Sequence, residues 1–240
     1  MHCRRNQKVS SYMLAVNEMF GPTFQGEGPT MGTPCIFLRL AGCNLACSWC
    51  DTPFSWDWTR YDKSKEVHLL DIATVEARIG ALSHDLIRHL VISGGEPMLQ
   101  STRLVPLLDR LRDQGWTSEM ETAGTIAPDP LLKVDRYNVS PKLENSGNAK
   151  QDRYQPTVLD AFNRHAARCF KFVVQDVSDF DEIDALVKTH QLSPVYIMPE
   201  GIDAAKVQKT LCDVAEASIA RNYHVTTRLH TLTYGNRRAV

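Results

Sequence analysis

The chain has 240 residues, 43% of them hydrophobic and 23% charged, a composition that suits a globular protein with an ample core. Its 27 basic and 28 acidic residues leave a net charge of −1, so no global attraction draws it to nucleic acid or to an acidic membrane. No stretch reaches the ~18 apolar residues of a spanning helix, and seven cysteines without a recognisable secretory leader lead us to expect a reducing, cytoplasmic setting.

Residues 1–12 carry Arg4, Arg5 and Lys8 with no apolar run behind them and read as a flexible tail. Residues 13–240 read as a single domain. Short β-branched or aromatic runs at 14–20, 35–40, 89–93, 117–121, 137–140, 170–174, 195–198 and 225–229 predict strands. Apolar residues spaced by three and four predict helices through Ile72, Val75, Ile79 and Leu82, and through Leu104, Leu107, Leu108 and Leu111. The same spacing recurs at Ile183, Leu186 and Val187, then at Val207, Leu211, Val214 and Ala215. Asp203 is placed to cap the last of these helices, and Ser178 with Asp181 the one before it. The stretch 121–155 looks poor in helix. Alternation of this kind predicts an α/β fold, a parallel sheet with helices outside. Too few helices are present for a closed eight-fold barrel, so an incomplete, modified barrel is expected, with its working face at the carboxyl ends of the strands.

Three cysteines, Cys43, Cys47 and Cys50, fall in eight residues directly after the second predicted strand. Three thiolates at this spacing can grip one inorganic centre, and three is one fewer than a closed zinc or fully ligated iron–sulfur site uses. The open alternatives are a zinc loop completed by a distant ligand, or unrelated buried thiols. The remaining cysteines, Cys3, Cys35, Cys169 and Cys212, are scattered. Ser93-Gly94-Gly95-Glu96-Pro97 follows the third predicted strand, and paired glycines permit close backbone approach while the carboxylate can accept from an ammonium group. An ordinary strand-to-helix turn would read the same way. Arg39, at the end of the second strand, offers a fork for a carboxylate or simply an ion pair.

The cysteine spacing resembles that of the radical S-adenosylmethionine superfamily. The resemblance implies a [4Fe–4S] cluster held by Cys43, Cys47 and Cys50, with its fourth iron chelated by S-adenosylmethionine. Cleavage of that cofactor then releases a 5′-deoxyadenosyl radical. Trp49 occupies the slot near the adenine, although local packing explains it equally well. Gly94, Gly95 and Glu96 match the motif that binds the cofactor's amino group.

Further motifs narrow the resemblance: Phe24-Gln25-Gly26-Glu27-Gly28, Phe37-Leu38-Arg39, Cys50-Asp51-Thr52, Glu121-Thr122-Ala123-Gly124-Thr125, Ser140-Pro141-Lys142, Arg228-Leu229-His230 and Tyr234-Gly235-Asn236. From about Asn17 to the C-terminus the chain is similar to the 7-carboxy-7-deazaguanine synthase family. That likeness implies ring contraction of 6-carboxy-5,6,7,8-tetrahydropterin to 7-carboxy-7-deazaguanine with loss of ammonia, in a homodimer of incomplete barrels. It assigns cofactor contacts to Ser140, Pro141, Lys142, Met198, Pro199, Glu200 and Gly201. It assigns substrate contacts to Phe24, Gln25, Gly26, Glu27, Arg39, Ser93, Glu121, His230 and the terminal Val240. Thr52 matches a position whose hydroxyl binds Mg²⁺, and an electron donor such as flavodoxin or ferredoxin is expected. Read without the family, Thr52 is a turn residue, Lys142 an exposed lysine and His230 a histidine at a strand end.

Two features depart from the family pattern. Ala123 stands where relatives commonly have Asn, and the tail ends Arg237-Arg238-Ala239-Val240 rather than in a glycine-containing segment. The competing enzyme reading is an activase that installs a glycyl radical on a partner enzyme. A non-catalytic iron–sulfur or zinc protein is the third.

Overall fold

A computed structural model describes residues 13–240; the predicted N-terminal tail, with Cys3, lies outside the described residues. Nine strands form one sheet in the order β3-β1-β2-β4-β5-β6-β7-β8-β9. They are β1 (Met13–Phe24), β2 (Pro34–Leu40), β3 (His68–Asp71), β4 (His89–Gly94), β5 (Thr117–Thr122), β6 (Arg136–Val139), β7 (Arg168–Val174), β8 (Val195–Pro199) and β9 (His224–Val225). β1 runs antiparallel to β2 and β3, while β2 and β4 to β9 pair in parallel. Among the described residues nothing pairs β3 with β9, so the sheet stays open, an incomplete barrel.

Eight helices accompany it among the described residues: α1 (Lys63–Glu66), α2 (Ile72–Ser83), α3 (Ser101–Asp113), α4 (Lys150–Arg153), α5 (Pro156–Asn163), α6 (Phe180–His190), α7 (Ala204–Ala220) and α8 (Leu229–Tyr234). The central strands alternate between two faces, while β1 is broken by two bulges. Ile36, Leu38, Leu40, Leu90, Ile92, Phe170, Phe172 and Val174 belong to the core beneath the helices and are buried. Their neighbours, Phe37, Arg39, Ser93, Glu121 and Lys171, line the hollow inside the sheet. A period of two puts apolar side chains on one face and the reacting groups on the other. Truncating one fully buried Leu on the helix side, such as Leu38 or Leu90, would cost ~2–5 kcal/mol.

Where helices form, the apolar spacing explains them: Ile72, Val75 and Ile79 of α2 are buried, as are Leu104, Leu107, Leu108 and Leu111 of α3. Asp203 caps α7 by accepting from the Lys206 N–H at 3.0 Å. The cap before α6 differs from expectation. Asp176 accepts from the Ser178 N–H at 2.7 Å and forms a capping box with Asp179, so Ser178 is the capped residue rather than the cap. The strand expected at 225–229 also corrects: β9 stops at Val225, and Leu229 opens α8. Arg228 is drawn inward to carboxylates, and the Leu229 N–H donates to the Gly26 carbonyl at 2.9 Å, which turns the chain. His230 therefore sits on a helix, not at a strand end.

Candidate active site

The cysteine loop leaves β2 at the carboxyl end of the sheet and is tied down from several sides. Gly42, at φ +96°, donates to the Ser55 carbonyl at 2.8 Å, and the Ser48 N–H donates to the Ser146 carbonyl at 3.0 Å. Gly94 and Gly95 let β4 end directly against this loop. A Cβ on Gly95 would lie 2.2 Å from the Gly42 carbonyl oxygen and 2.7 Å from Cys43 Cβ, and one on Gly94 would lie 2.2 Å from the Leu40 oxygen. The close approach those glycines permit is first of all to the backbone that carries the cysteines.

Cys43, Cys47 and Cys50 are all free and half-buried, and all three line one cavity of about 650 Å³. Burial pushes the Cys43 thiol up to about 11 and raises that of Cys47 as well. Such thiols become good ligands only when a metal's own charge stabilises the thiolate. An N–H meets each sulfur: Leu45 backbone to Cys43 at 3.4 Å, Asn148 Nδ2 to Cys47 at 3.2 Å and Trp56 Nε1 to Cys50 at 3.3 Å. Among the described residues no three Cys, His, Asp or Glu side chains converge on one point suited to a single ion, and no fourth cysteine lines the cavity. Three spread thiols fit the separate corners of an iron–sulfur cube better than they fit one tetrahedral zinc.

The inner wall of the cavity is a charge network. Lys171, projecting from β7 with its side chain 4% exposed, bonds Glu27 and lies 3.8 Å from Glu121. Arg228 bonds Asp51, reaches Glu27 through Nε at 3.2 Å, and donates to the Gly201 carbonyl at 2.5 Å. Burial would raise the Glu27 carboxyl, but Lys171, Arg228 and His230 outweigh it and hold it well below the usual carboxylate range. Asp51 is also held down, with Arg228 overcoming burial. Glu121 goes the other way: burial, reinforced by Glu27, exceeds the pull of Lys171 and raises it. His230 is pushed down by burial and by Arg228, against the pull of Glu27. Beneath them Glu119, fully buried, accepts from Gln25 at 2.6 Å, Thr30 at 2.5 Å and Asn138. Gln25 also reaches Glu121 at 3.2 Å, and Ser93 donates to Glu121 at 2.8 Å.

Most residues singled out from the sequence meet at this cavity. Phe24, Gln25, Glu27, Arg39, Trp49, Thr52, Ser93, Glu121, Ser140, Lys142, Met198, Glu200, His230 and Val240 line it alongside the cysteines and the paired glycines. Gly26, Glu96, Pro141, Pro199 and Gly201 do not. Gly26 leaves room for His230, whose Nδ1 sits 2.0 Å from where a Cβ would be. Both Glu96 oxygens are taken by the Thr122 hydroxyl and by the Met98 and Ala123 N–H groups, so its carboxylate clamps two strand ends together. Ala123 takes part in that clamp through its backbone N–H, and the residue lines the cavity. Trp49 donates to the Asn145 carbonyl at 3.0 Å, with the Lys142 ammonium 5.9 Å above its ring.

Lys171, Glu18, Glu119 and the charge roles of Asp51 and Arg228 went unassigned from sequence. Lys171 did carry a signal, as the lone charge inside the apolar run 170–174, where a charge is stable only if paired.

An open, largely parallel sheet that gathers three free cysteines, a Gly-Gly turn and a polar inner wall at its carboxyl ends defines a radical S-adenosylmethionine enzyme. Residues 24–134 match a family described as a 4Fe-4S single cluster domain. The chain is 34% identical to the 7-carboxy-7-deazaguanine synthase of Pyrobaculum aerophilum, over 94% of this chain and 96% of that one. It is 30% identical to the Bacillus subtilis enzyme of the same name, over 95% and 98%. The crystal structure of QueE from Escherichia coli superposes with a TM-score of 0.68 at 29% identity, covering 91% of this chain and 95% of that one. Streptococcus suis SuiB bound to S-adenosylmethionine shares the fold at a TM-score of 0.55 and 15% identity, over 80% and 50%. The chain belongs to the 7-carboxy-7-deazaguanine synthase family, and neither the activase nor the non-catalytic reading is favoured beside it.

Proposed function

We infer that this protein is a radical S-adenosylmethionine lyase that contracts 6-carboxy-5,6,7,8-tetrahydropterin to 7-carboxy-7-deazaguanine and releases ammonia. One observation carries the reading: the cysteine loop, the Gly-Gly turn and a buried acid–base wall all open onto the same cavity. When bound, the [4Fe–4S] cluster and S-adenosylmethionine supply a 5′-deoxyadenosyl radical, and the chain's own residues do the rest.

Cys43, Cys47 and Cys50 hold the cluster, while Trp49, Gly94, Gly95, Ser140, Lys142, Met198 and Glu200 form the cofactor's side of the cavity. Glu96, Pro141, Pro199 and Gly201 support that side from behind. Arg39 gives its Nε to Glu18 at 2.8 Å, and its terminal nitrogens make no hydrogen bond among the described residues, which leaves a cation for the substrate carboxylate. Glu27 and Glu121, held by Lys171 and Ser93, accept from the N–H groups of the pterin edge, with Gln25 beside them on the substrate wall. His230, packed onto Gly26, and Phe24 close the ring's flanks, and Val240 borders the mouth. Thr52, whose hydroxyl lies 3.8 Å from Cys50 Sγ, is the residue assigned to Mg²⁺, with Asp51 beside it.

Residues 13–240 act as one catalytic domain in this reading, as a cytoplasmic homodimer reduced by a flavodoxin or ferredoxin. None of the described helices is long and apolar enough to cross a membrane. The test is an anaerobic assay with reduced, cluster-loaded protein. Carboxytetrahydropterin should become the deazaguanine without stoichiometric 5′-deoxyadenosine. Abundant 5′-deoxyadenosine with no deazaguanine would reject the assignment.

A further inference from the structure

We propose that Trp56 and Asn148 are positioning residues that set the reduction potential of the cluster, by donating side-chain N–H hydrogen bonds to Cys50 and Cys47. The proposal rests on the cluster reading above and adds to it a role for two residues outside every motif used so far.

The geometry leaves the direction of both bonds unambiguous. An indole nitrogen is a donor only, so the 3.3 Å contact of Trp56 Nε1 with Cys50 Sγ is N–H to sulfur. Asn148 is fixed by its other end: its Oδ1 accepts from the Ala46 N–H at 2.9 Å, which forces Nδ2 toward Cys47 Sγ at 3.2 Å. Nδ2 also reaches Ser146 Oγ at 3.1 Å. Both donors are braced. The backbone N–H of Trp56 donates to the Pro53 carbonyl at 3.1 Å, and the Ser48–Ser146 backbone bond locks the Asn148 turn to the cysteine loop. Cys43 has only the longer backbone contact from Leu45. Two of the three protein-bound corners therefore carry a removable dipole.

One-electron reduction by a low-potential donor adds a negative charge to the cluster and breaks no bond. That charge is shared with the cysteine sulfurs, so an N–H dipole aimed at a sulfur stabilises the reduced state more than the oxidised one and raises the potential. Trp56→Phe keeps the packing and deletes the donor. Asn148→Asp keeps the acceptor for Ala46 and replaces the donor by a repelling oxygen. Each should lower the equilibrium constant for reduction about tenfold, a shift of ~59 mV for one electron. Trp58→Phe is the control, since that indole belongs to the same turn but lies under Lys63 rather than at a sulfur.

The experiment is an anaerobic redox titration of the cluster-loaded full chain, reduced with titanium(III) citrate and followed by electron paramagnetic resonance without substrate. Lowered midpoints in both variants, at wild-type iron content and with Trp58→Phe unchanged, support the proposal. Unchanged midpoints at full iron content overturn it. Loss of iron from both variants also overturns it, because the donors would then be clamps for the loop. A wild-type protein that assembles no cluster removes the underlying reading itself, and that result is distinct from both.

Discussion

Arg228 bonds Asp51 across 177 positions of sequence, and Asp51 is the residue that directly follows the last cluster cysteine. The same guanidinium reaches Glu27, from the loop after β1, and the Gly201 carbonyl, after β8. One planar fork thus ties the C-terminal segment, the proposed substrate wall and the cysteine loop into a single unit.

Arg228→Met should therefore loosen the fold and the cysteine loop together. Removing one partner from a largely buried ionic cluster costs ~3–5 kcal/mol, because Asp51 loses its bonded counter-ion and Glu27 is left with Lys171 alone. In a chain of this length that lowers the melting temperature by roughly 10 °C. Iron retained after anaerobic reconstitution should fall as well, since Asp51 no longer holds the backbone beside Cys50. Arg228→Lys, which keeps the charge but not the fork, should recover part of the melting temperature. Calorimetry and an iron assay read both effects, and a variant that melts like wild type with full iron contradicts the account.

The Lys171–Glu27 pair predicts a pH dependence of definite sign. Glu27 is depressed in the folded chain relative to its unfolded value near ~4.3. Its contribution is therefore fully present above that value and is lost as pH falls through the folded one. Lys171→Met removes much of that contribution. The melting-temperature gap between wild type and Lys171→Met should be large at neutral pH, on the order of 10 °C. It should shrink progressively below about pH 4, as Glu27 takes up a proton first in the unfolded chain and only at much lower pH in the folded wild type. Thermal melts across that range decide the matter, and a gap that stays constant with pH would falsify the assignment of the stabilisation to this pair.

What could be read from sequence was whatever repeats locally. The strand through Ile36, Leu38 and Leu40 follows from a short apolar run, and the helix through Leu104, Leu107, Leu108 and Leu111 from a spacing of three and four. β3 has no such signature: it is four residues long, pairs with β1 alone, and leaves Leu69 exposed. The over-long strand at 225–229 failed because its apolar letters do not register that Arg228 has carboxylates to meet. The cysteine loop was legible because its ligands are neighbours in sequence. Glu119 and Asn148 were not, since each acquires its role from groups 19 to 101 positions away, and Lys171 showed only that it needs a partner, not that the partner stands 144 positions away. Glu96 shows the limit most plainly: a carboxylate after two glycines carries no local sign of which way it points, and here it turns to Thr122 and Ala123.

Gly95→Ala tests whether the paired glycines serve the cysteine loop or only a ligand. The new methyl would meet the Gly42 oxygen and Cys43 Cβ, both held by backbone that cannot rotate away. The loop must shift, and the expected result is a protein that keeps its secondary structure but binds well under half the wild-type iron. Circular dichroism together with an iron and sulfide count checks this. Full iron loading with weakened S-adenosylmethionine binding would instead place the role of the glycine at the ligand alone.

Arg238 fastens the chain's tail across the mouth of the cavity. It bonds Glu18 at 2.7 Å and Glu66 at 2.6 Å, and its guanidinium lies 3.8 Å from the centre of the Phe54 ring. Glu18 in turn holds Arg39, so the tail and the proposed carboxylate-binding cation share one acceptor. Each exposed ion pair contributes up to ~1 kcal/mol and the ring contact ~0.5–1 kcal/mol, so the tether amounts to about 2 kcal/mol. Arg238→Ala should release residues 237–240 and free Glu18 to bind Arg39 more tightly, weakening the hold on a substrate carboxylate. KM for the carboxytetrahydropterin should rise on the order of tenfold, with kcat changing much less, because every 1.4 kcal/mol is roughly a factor of ten. Steady-state kinetics under anaerobic conditions measures the split. A loss confined to kcat would mean that the tail acts on the reacting atoms themselves rather than on substrate capture.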